Sequence, residues 1–388
     1  MDLETSKTDI QAFVDQKATE LVDLSQKIHQ APELGYEEQQ SAAWLTDFLE
    51  KNGFEVERGV AGMPTAFKAV YGRGAPVIAF MAEYDALPGI GHGCGHNIIG
   101  AAAAGAGLAL KKTAAQAGAA VVVMGCPAEE LLGGKVALVD HGAFEGVDAA
   151  LQIHPAARDE NWAGFTSTAC VILDVEYYGR EAHAAAGPWE GNSALQALIN
   201  AFNNVNGLRL HLRDGSRISG IITHGGEAVN IIPARAAGKF QMRSLEDNDL
   251  DELKAKVLNC IESAALPTSC RVEHQWGPRC NAMKNNETML SAWRKNMAAL
   301  GREVTGISRN SGSTDAGNVS VRLPTIHAFL SISRDTRPFH SKEFSEAAGS
   351  PYGQKAVIDG AKAMAMTAAD MILDPEFLQQ ARREFESD

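Results

Sequence analysis

Only six cysteines occur in 388 residues, at positions 94, 126, 170, 260, 270 and 280. They are scattered, with no dense spacing pattern, so a disulfide scaffold is not expected and a reduced, cytoplasmic compartment is. Basic charge is also scarce. Lys+Arg 35 against Asp+Glu 48 leaves a net charge of -13. Nucleic acids and anionic membranes require basic patches, so neither is an expected partner. Net charge says little about a small substrate, because a pocket can carry the opposite sign. No apolar run is long enough to span a bilayer. The Ala-rich stretch from Ile98 to Leu110 is short, interrupted by glycine, and reads as a buried helix. The first residues are polar and acidic and lack the apolar region of a signal peptide. No low-complexity segment or internal repeat is visible.

What is present is a globular composition, 45% apolar and 21% charged, on a chain too long for one compact core. One large and one smaller domain are expected. Helical periodicity covers Thr8–His29 and Glu37–Asn52. Continuous apolar strands are expected at Pro76–Phe80, Ala119–Met124, Ala149–Ile153 and Ile326–Leu330, with a helix over Ile98–Lys111 that Asn97 would cap. That alternation predicts an α/β fold whose sheet is covered on both faces by helices. The middle of the chain has a different rhythm. Strands at Val171–Tyr177, Ile218–Thr223, Ala236–Met242 and Ser269–Gln275 alternate with helices at Asn192–Leu212 and Asn248–Ala264. This β-α-β-β-α-β order is that of a ferredoxin-like unit. It predicts a domain of residues 169–280 inserted into a mixed-sheet α/β domain formed by 1–168 and 281–388.

Residues 81–96 follow the first apolar strand and end in Cys94-Gly95-His96, inside a glycine-rich loop. A thiolate and an imidazole in such a loop suggest a metal ion. The end of each further strand adds a candidate. Glu129 and Glu130 follow the second strand, His154 ends the third, and His340 follows the strand near 326–330. Ligands of open α/β sheets bind outside the carboxyl ends of strands, so these side chains converge on one place. Any one histidine alone would read as a hydrogen-bonded loop residue; the shared topological position is the signal. In the Glu129-Glu130 pair, one carboxylate can bind metal while its neighbour takes a proton from water and delivers it to a leaving amine. The bland alternative is two solvated surface carboxylates.

Seven motifs then carry a family resemblance: Glu83-Tyr-Asp-Ala-Leu-Pro88, Gly93-Cys-Gly-His96, Pro127-Ala-Glu-Glu130, Ile153-His-Pro155, Gly179-x-x-Ala-His183, Val229-Asn-Ile-Ile-Pro233 and Gly312-Ser-Thr-Asp315. In order and across nearly the whole chain, they resemble the aminoacylase/carboxypeptidase-type dinuclear metallopeptidases, metallopeptidase family twenty. The amidohydrolase branch is the nearest likeness, with its aminobenzoyl-glutamate hydrolases and β-alanyl-lysine-type dipeptidases. The resemblance implies that Cys94, His96, Glu130, His154 and His340 hold two divalent metal ions, with Cys94 as the bridge. Zinc or manganese is the first expectation for them, cobalt or nickel the next. It implies Glu129 as general base and acid, and His183 as the donor that stabilises the oxyanion, from its own or a partner subunit. Asn230 and Arg243 would contact the substrate, and Asp85 would orient a ligand. The inserted domain would be a lid that also forms a homodimer.

The chain departs from the family pattern at two positions. Glu83 stands where many members have a histidine, and Asn97 where many amidohydrolases have an aspartate. The cysteine-containing branch shares the first departure; Asn97 points away from auxin-conjugate hydrolases, and together the two narrow the likeness to dipeptidase-like or aminobenzoyl-glutamate-like members. His92 matches no ligand position and reads as a loop residue. The implied reaction is hydrolysis of the amide bond of an N-acyl amino acid, an aminobenzoyl-glutamate-like compound or a small dipeptide. The alternatives are a hydrolytic deaminase or deacylase of an aromatic or modified amine, and a non-catalytic metal-binding homologue.

Overall fold

A computed structural model describes residues 2–308 and 312–387. Among the described residues there are twelve strands: β1 (Glu55–Arg58), β2 (Phe67–Tyr71), β3 (Val77–Ala82), β4 (Ala120–Gly125), β5 (Ala149–Ala156), β6 (Asn161–Phe165), β7 (Ala169–Tyr178), β8 (Arg217–His224), β9 (Arg235–Ser244), β10 (Arg271–Cys280), β11 (Val304–Ser308) and β12 (Thr325–Ser331). The chain divides into two compact units. Residues 2–166, 283–308 and 314–387 form one; residues 167–282 with 312–313 form the other.

The larger unit holds an eight-stranded sheet in the order β1-β2-β4-β3-β5-β12-β6-β11. Its centre, β4-β3-β5-β12, is parallel, and β1, β2 and the β12-β6 pairing are antiparallel. The expected mixed α/β sheet is therefore present. Central strands β3 and β4 are apolar along their length because both faces are covered. Helix His96–Ala117 is buried on almost every side and packs along helix Pro351–Leu373. Small residues permit that approach: a Cβ on Gly105 would lie 3.0 Å from the Ala361 methyl.

Several element boundaries differ from the sequence expectation. The first helix is two, Leu3–Gln16 and Ala18–Gln30, because Lys17 between them leaves helical geometry. The helix expected at Ile98 begins at His96, so Asn97 is not its cap. Gly95, with φ +77°, holds the cap position, and Asn97 sits buried in the first turn, donating to Ser25 Oγ at 2.9 Å. Strand β5 runs past His154 to Ala156 instead of ending there. Strands β1, β2, β6 and β11 and the C-terminal helices Pro351–Leu373 and Pro375–Ser387 have no counterpart among the elements expected from sequence.

The smaller unit is an antiparallel sheet in the order β10-β7-β9-β8. Helices Ala194–Leu208 and Asp247–Ala264 bury Leu198, Ala201, Val205, Leu253, Val257 and Ile261 with Val171, Leu173 and Phe240 of that sheet. Strands alternate buried and exposed positions, as a sheet covered on one face requires. Order and topology are those of the ferredoxin-like unit. Ser193 caps the first helix by accepting from Gln196 N at 3.1 Å.

Candidate metal centre

The loop after β3 and the first turn of the buried helix place Cys94 and His96 side by side. Gly95 links them in the left-handed region, and a Cβ there would lie 2.7 Å from Pro155 Cγ, so only glycine fits. After β4 the chain turns sharply through Ala128, φ +56°, into a short helical turn carrying Glu129 and Glu130. The turn is fixed from outside. Ala128 N donates to Glu38 Oε1 at 2.7 Å, and Glu130 N donates to Asp85 Oδ2 at 2.9 Å. His154 lies on β5, with its Nε2 3.6 Å from Cys94 Sγ. His340, at φ +58°, sits in the loop after β12, with Nε2 3.4 Å from Glu130 Oε2. Two non-glycine residues in the left-handed region beside one cluster are backbone strain held where side chains must converge.

The ligand atoms fall into overlapping triads, each within 4.8 Å. One is Cys94, His96 and His154; another is Cys94, Glu130 and His340. Cys94 belongs to both. A third triad joins His96, Glu129 and Glu130. All five residues expected as ligands are thus brought together, with Glu129 among them. Donor chemistry fits divalent metal: one thiol, three imidazoles and a carboxylate. Satisfaction of polar atoms fits it too. His96 Nε2 and Glu130 Oε1 are buried with no hydrogen-bond partner, a costly state that a bound ion relieves. Asp85 Oδ1 accepts from His96 Nδ1 at 2.8 Å, which directs Nε2 into the cluster.

The electrostatics point the same way. Burial alone would lower the His96 imidazole, but the carboxylates of Asp85 and Glu83 lift it well above its ordinary value. A field that holds a proton there also favours a cation. Burial pushes the Cys94 thiol far up, and Glu130 adds to the rise. A thiolate at this depth needs a positive partner. Burial and the neighbouring His96 bring His154 down to about 4, leaving the imidazole neutral and able to ligate. Burial, then Glu83 and Asp315, raise the Glu129 carboxyl well above the usual range.

Behind the cluster lies a network that sequence reasoning missed. Lys135, wholly buried, donates from Nζ to Glu83 Oε1 and to Asp315 Oδ1, both at 2.5 Å. Its backbone N donates to Asp315 Oδ2 at 2.8 Å, and Gln152 Nε2 donates to Glu83 Oε1 at 2.6 Å. Glu83 was legible only as a departure from pattern, and Asp315 only as the end of a motif; nothing local marked Lys135 as their partner. His327 was also missed. It is buried on β12, with ring centroids 5.5 Å from His154 and 5.3 Å from both Phe165 and Phe329. His92 is a buried loop residue whose Nε2 lies 3.0 Å from Ile28 O.

His183, Asn230 and Arg243 belong to the smaller unit. His183 is exposed, and its Nδ1 accepts from Ala185 N at 3.2 Å and Ala186 N at 3.1 Å. With Nδ1 an acceptor, the ring proton of the neutral form sits on Nε2. Asn230 is exposed beside it, its backbone carbonyl accepting from Ala184 N at 3.0 Å. Arg243, on β9 opposite Cys170, donates from Nη1 to Ser313 Oγ at 2.9 Å.

Comparison with known proteins gives these features a family context. Residues 79–369 match the profile of peptidase family M20/M25/M40. The Xaa-Arg dipeptidase of Mus musculus is 39% identical over 99% of this chain and 93% of its own length. One of the subunits of the Escherichia coli p-aminobenzoyl-glutamate hydrolase is 30% identical, over 93% of this chain and 91% of its own. A Bacillus subtilis dinuclear metal-binding peptidase of the M20 family superposes with a TM-score of 0.72 at 20% identity, covering 93% of this chain and 99% of that one.

Proposed function

The chain belongs to peptidase family M20/M25/M40, a metal-dependent hydrolase of amide C–N bonds, and from that premise we propose that it is a dipeptidase-type amidohydrolase cleaving a short peptide or N-acyl amino acid. The observation that carries the reading is the pair of triads meeting at Cys94, with Glu129 beside them. In this reading Cys94, His96 and His154 hold one divalent ion, and Cys94, Glu130 and His340 the other. Zinc or manganese suits the mixed thiolate, imidazole and carboxylate set. The dipeptidase name carried by the 39% identical relative favours a dipeptide over an aminobenzoyl-glutamate, with a basic residue on the carboxyl side.

Ions bound there supply Lewis acidity to the amide carbonyl and to a water. Glu129 takes the water's proton and later hands it to the leaving amine. Its carboxyl, raised by burial among other carboxylates, is suited to hold that proton between the two transfers. Asp85 keeps the His96 ring in one orientation by accepting from Nδ1. His183, with its neutral-form proton on Nε2, donates to the developing oxyanion. Asn230 binds the substrate backbone, and the Arg243 fork meets its carboxylate.

Two further parts of the reading concern assembly and setting. A homodimer through the smaller unit is supported by Ile221 and Ile222, exposed on the edge strand β8. A reducing cytoplasmic setting is supported by the six free cysteines. Among the described residues no helix is long and apolar enough to cross a membrane.

The test is Glu129→Gln in protein reconstituted with zinc or manganese, assayed on a panel of Xaa-Arg and Xaa-Lys dipeptides, aminobenzoyl-glutamate and N-acyl amino acids. Turnover should fall about a hundred- to ten-thousand-fold while metal content is kept. Full activity in the metal-loaded variant would remove Glu129 from the mechanism. No hydrolysis of any amide by the wild type would remove the peptidase reading.

A further inference from the structure

Glu83 is not among the residues assigned to the metal centre, yet its geometry is that of a ligand. The side chain is wholly buried. Lys135 and Gln152 hold one oxygen, Oε1, at 2.5 and 2.6 Å. The other oxygen, Oε2, is buried with no hydrogen-bond partner. It lies 3.5 Å from His96 Nε2, which is likewise buried and without a hydrogen-bond partner. Among the carboxylates around that nitrogen it is the nearest. Glu129 Oε2 stands at 3.8 Å and Glu130 Oε1 at 4.0 Å.

The distance decides between two accounts of this contact. A hydrogen bond from an N–H to a carboxylate closes to about 2.7–3.2 Å, so a direct hydrogen bond between the two atoms is not formed. Two atoms bound to one ion at about 2.1 Å each, with an angle between 90° and tetrahedral, stand about 3.0–3.4 Å apart. The observed 3.5 Å lies just beyond the tetrahedral end of that spacing and well beyond a hydrogen bond. Lys135, itself anchored to Asp315, keeps Oε1 occupied and so leaves Oε2 as the free end of a carboxylate that cannot swing away.

We propose that Glu83 Oε2 is a ligand of the divalent ion bound by His96, with Lys135, Gln152 and Asp315 as the clamp that presents it. The inference rests on the metal-centre reading above and adds a carboxylate to it. Glu83 also falls within 4.8 Å of ligand atoms of Glu129 and Asp315, so it stands on the Glu129 side of the cluster. Ligation gives the glutamate that stands in place of a histidine a chemical task.

Anomalous diffraction from crystals of the wild-type protein loaded with zinc or manganese tests this without any substitution. Glu83 Oε2 is expected within about 2.6 Å of one ion. A longer distance to every ion overturns the proposal while leaving the metal centre standing. Absence of ions at Cys94 and its neighbours overturns both. Calorimetric titration of Glu83→Gln with the same metals gives the energetic arm: affinity for one ion falls tenfold or more, and the other is unchanged. Wild-type affinity for both ions in that variant overturns the proposal. A residue that only oriented His96 would also weaken binding, so where affinity falls the crystallographic distance decides.

Discussion

Replacing Lys135 with methionine removes the one positive charge buried between Glu83 and Asp315. The structure sets the size of the effect. Both carboxylates and the ammonium are fully buried, and both contacts are 2.5 Å. Removing one partner of a buried ion pair costs about 3–5 kcal/mol, because the remaining charge is left in a poor solvent. Here each carboxylate keeps one donor, Gln152 Nε2 for Glu83 and the backbone N of residue 135 for Asp315. The lower end, about 3 kcal/mol, is therefore expected, and at about 2–4 °C per kcal/mol for a unit of this size the melting point falls by about 6–12 °C. The assay is thermal unfolding followed by far-UV circular dichroism in the presence of chelator, so that bound metal does not contribute. Lys355→Met is the control. That ammonium is 57% exposed and pairs with Asp359, so its removal costs no more than about 1 kcal/mol. Equal melting points for the two variants would refute the argument that burial makes the Lys135 contacts costly to break.

Asp85→Asn keeps shape but weakens the acceptor that orients His96 and holds Glu130 N. Metal affinity measured by calorimetry should fall about 10–100-fold, and an unchanged affinity would remove Asp85 from the centre. Cys170 is a pH marker in the smaller unit. Hydrogen bonding to Cys280, then to Ser313, and the charge of Arg243 bring its thiol down to about 6 against burial. Because the folded value lies below the unfolded one, its stabilisation is complete above the ordinary thiol value and is lost as pH falls through about 6. Absorbance at 240 nm in metal-free protein should show a thiolate transition near pH 6 that Cys170→Ser abolishes. Persistence of the transition in that variant would assign it elsewhere.

The metal-ligand candidates were legible because each lies in a short motif in or after the carboxyl-terminal part of an apolar strand, and such ends of parallel neighbours lie on one edge of the sheet. Cys94-Gly-His96, Glu129-Glu130, His154 and His340 carry that information within a few residues. Element boundaries were less legible. Asn97 reads as a cap by residue type, yet Gly95 takes the position because only it tolerates the left-handed turn against Pro155. Strands β6 and β11 were hidden because β6 is short and β11 is largely exposed, so neither shows a strong apolar pattern.

The sequence by itself determined the two-part architecture, the central strands and the inserted β-α-β-β-α-β unit, and the candidate ligands that gather in one cluster, because periodicity and local motifs are short-range properties. Only the tertiary structure decided how those side chains are held. Lys135 meets Glu83 across 52 residues and Asp315 across 180, and no local pattern encodes a contact over such separations. Burial then converts those contacts into chemistry. A lysine or glutamate in the sequence is a soluble charge by default, and becomes a clamp or a candidate ligand only when the fold removes its water.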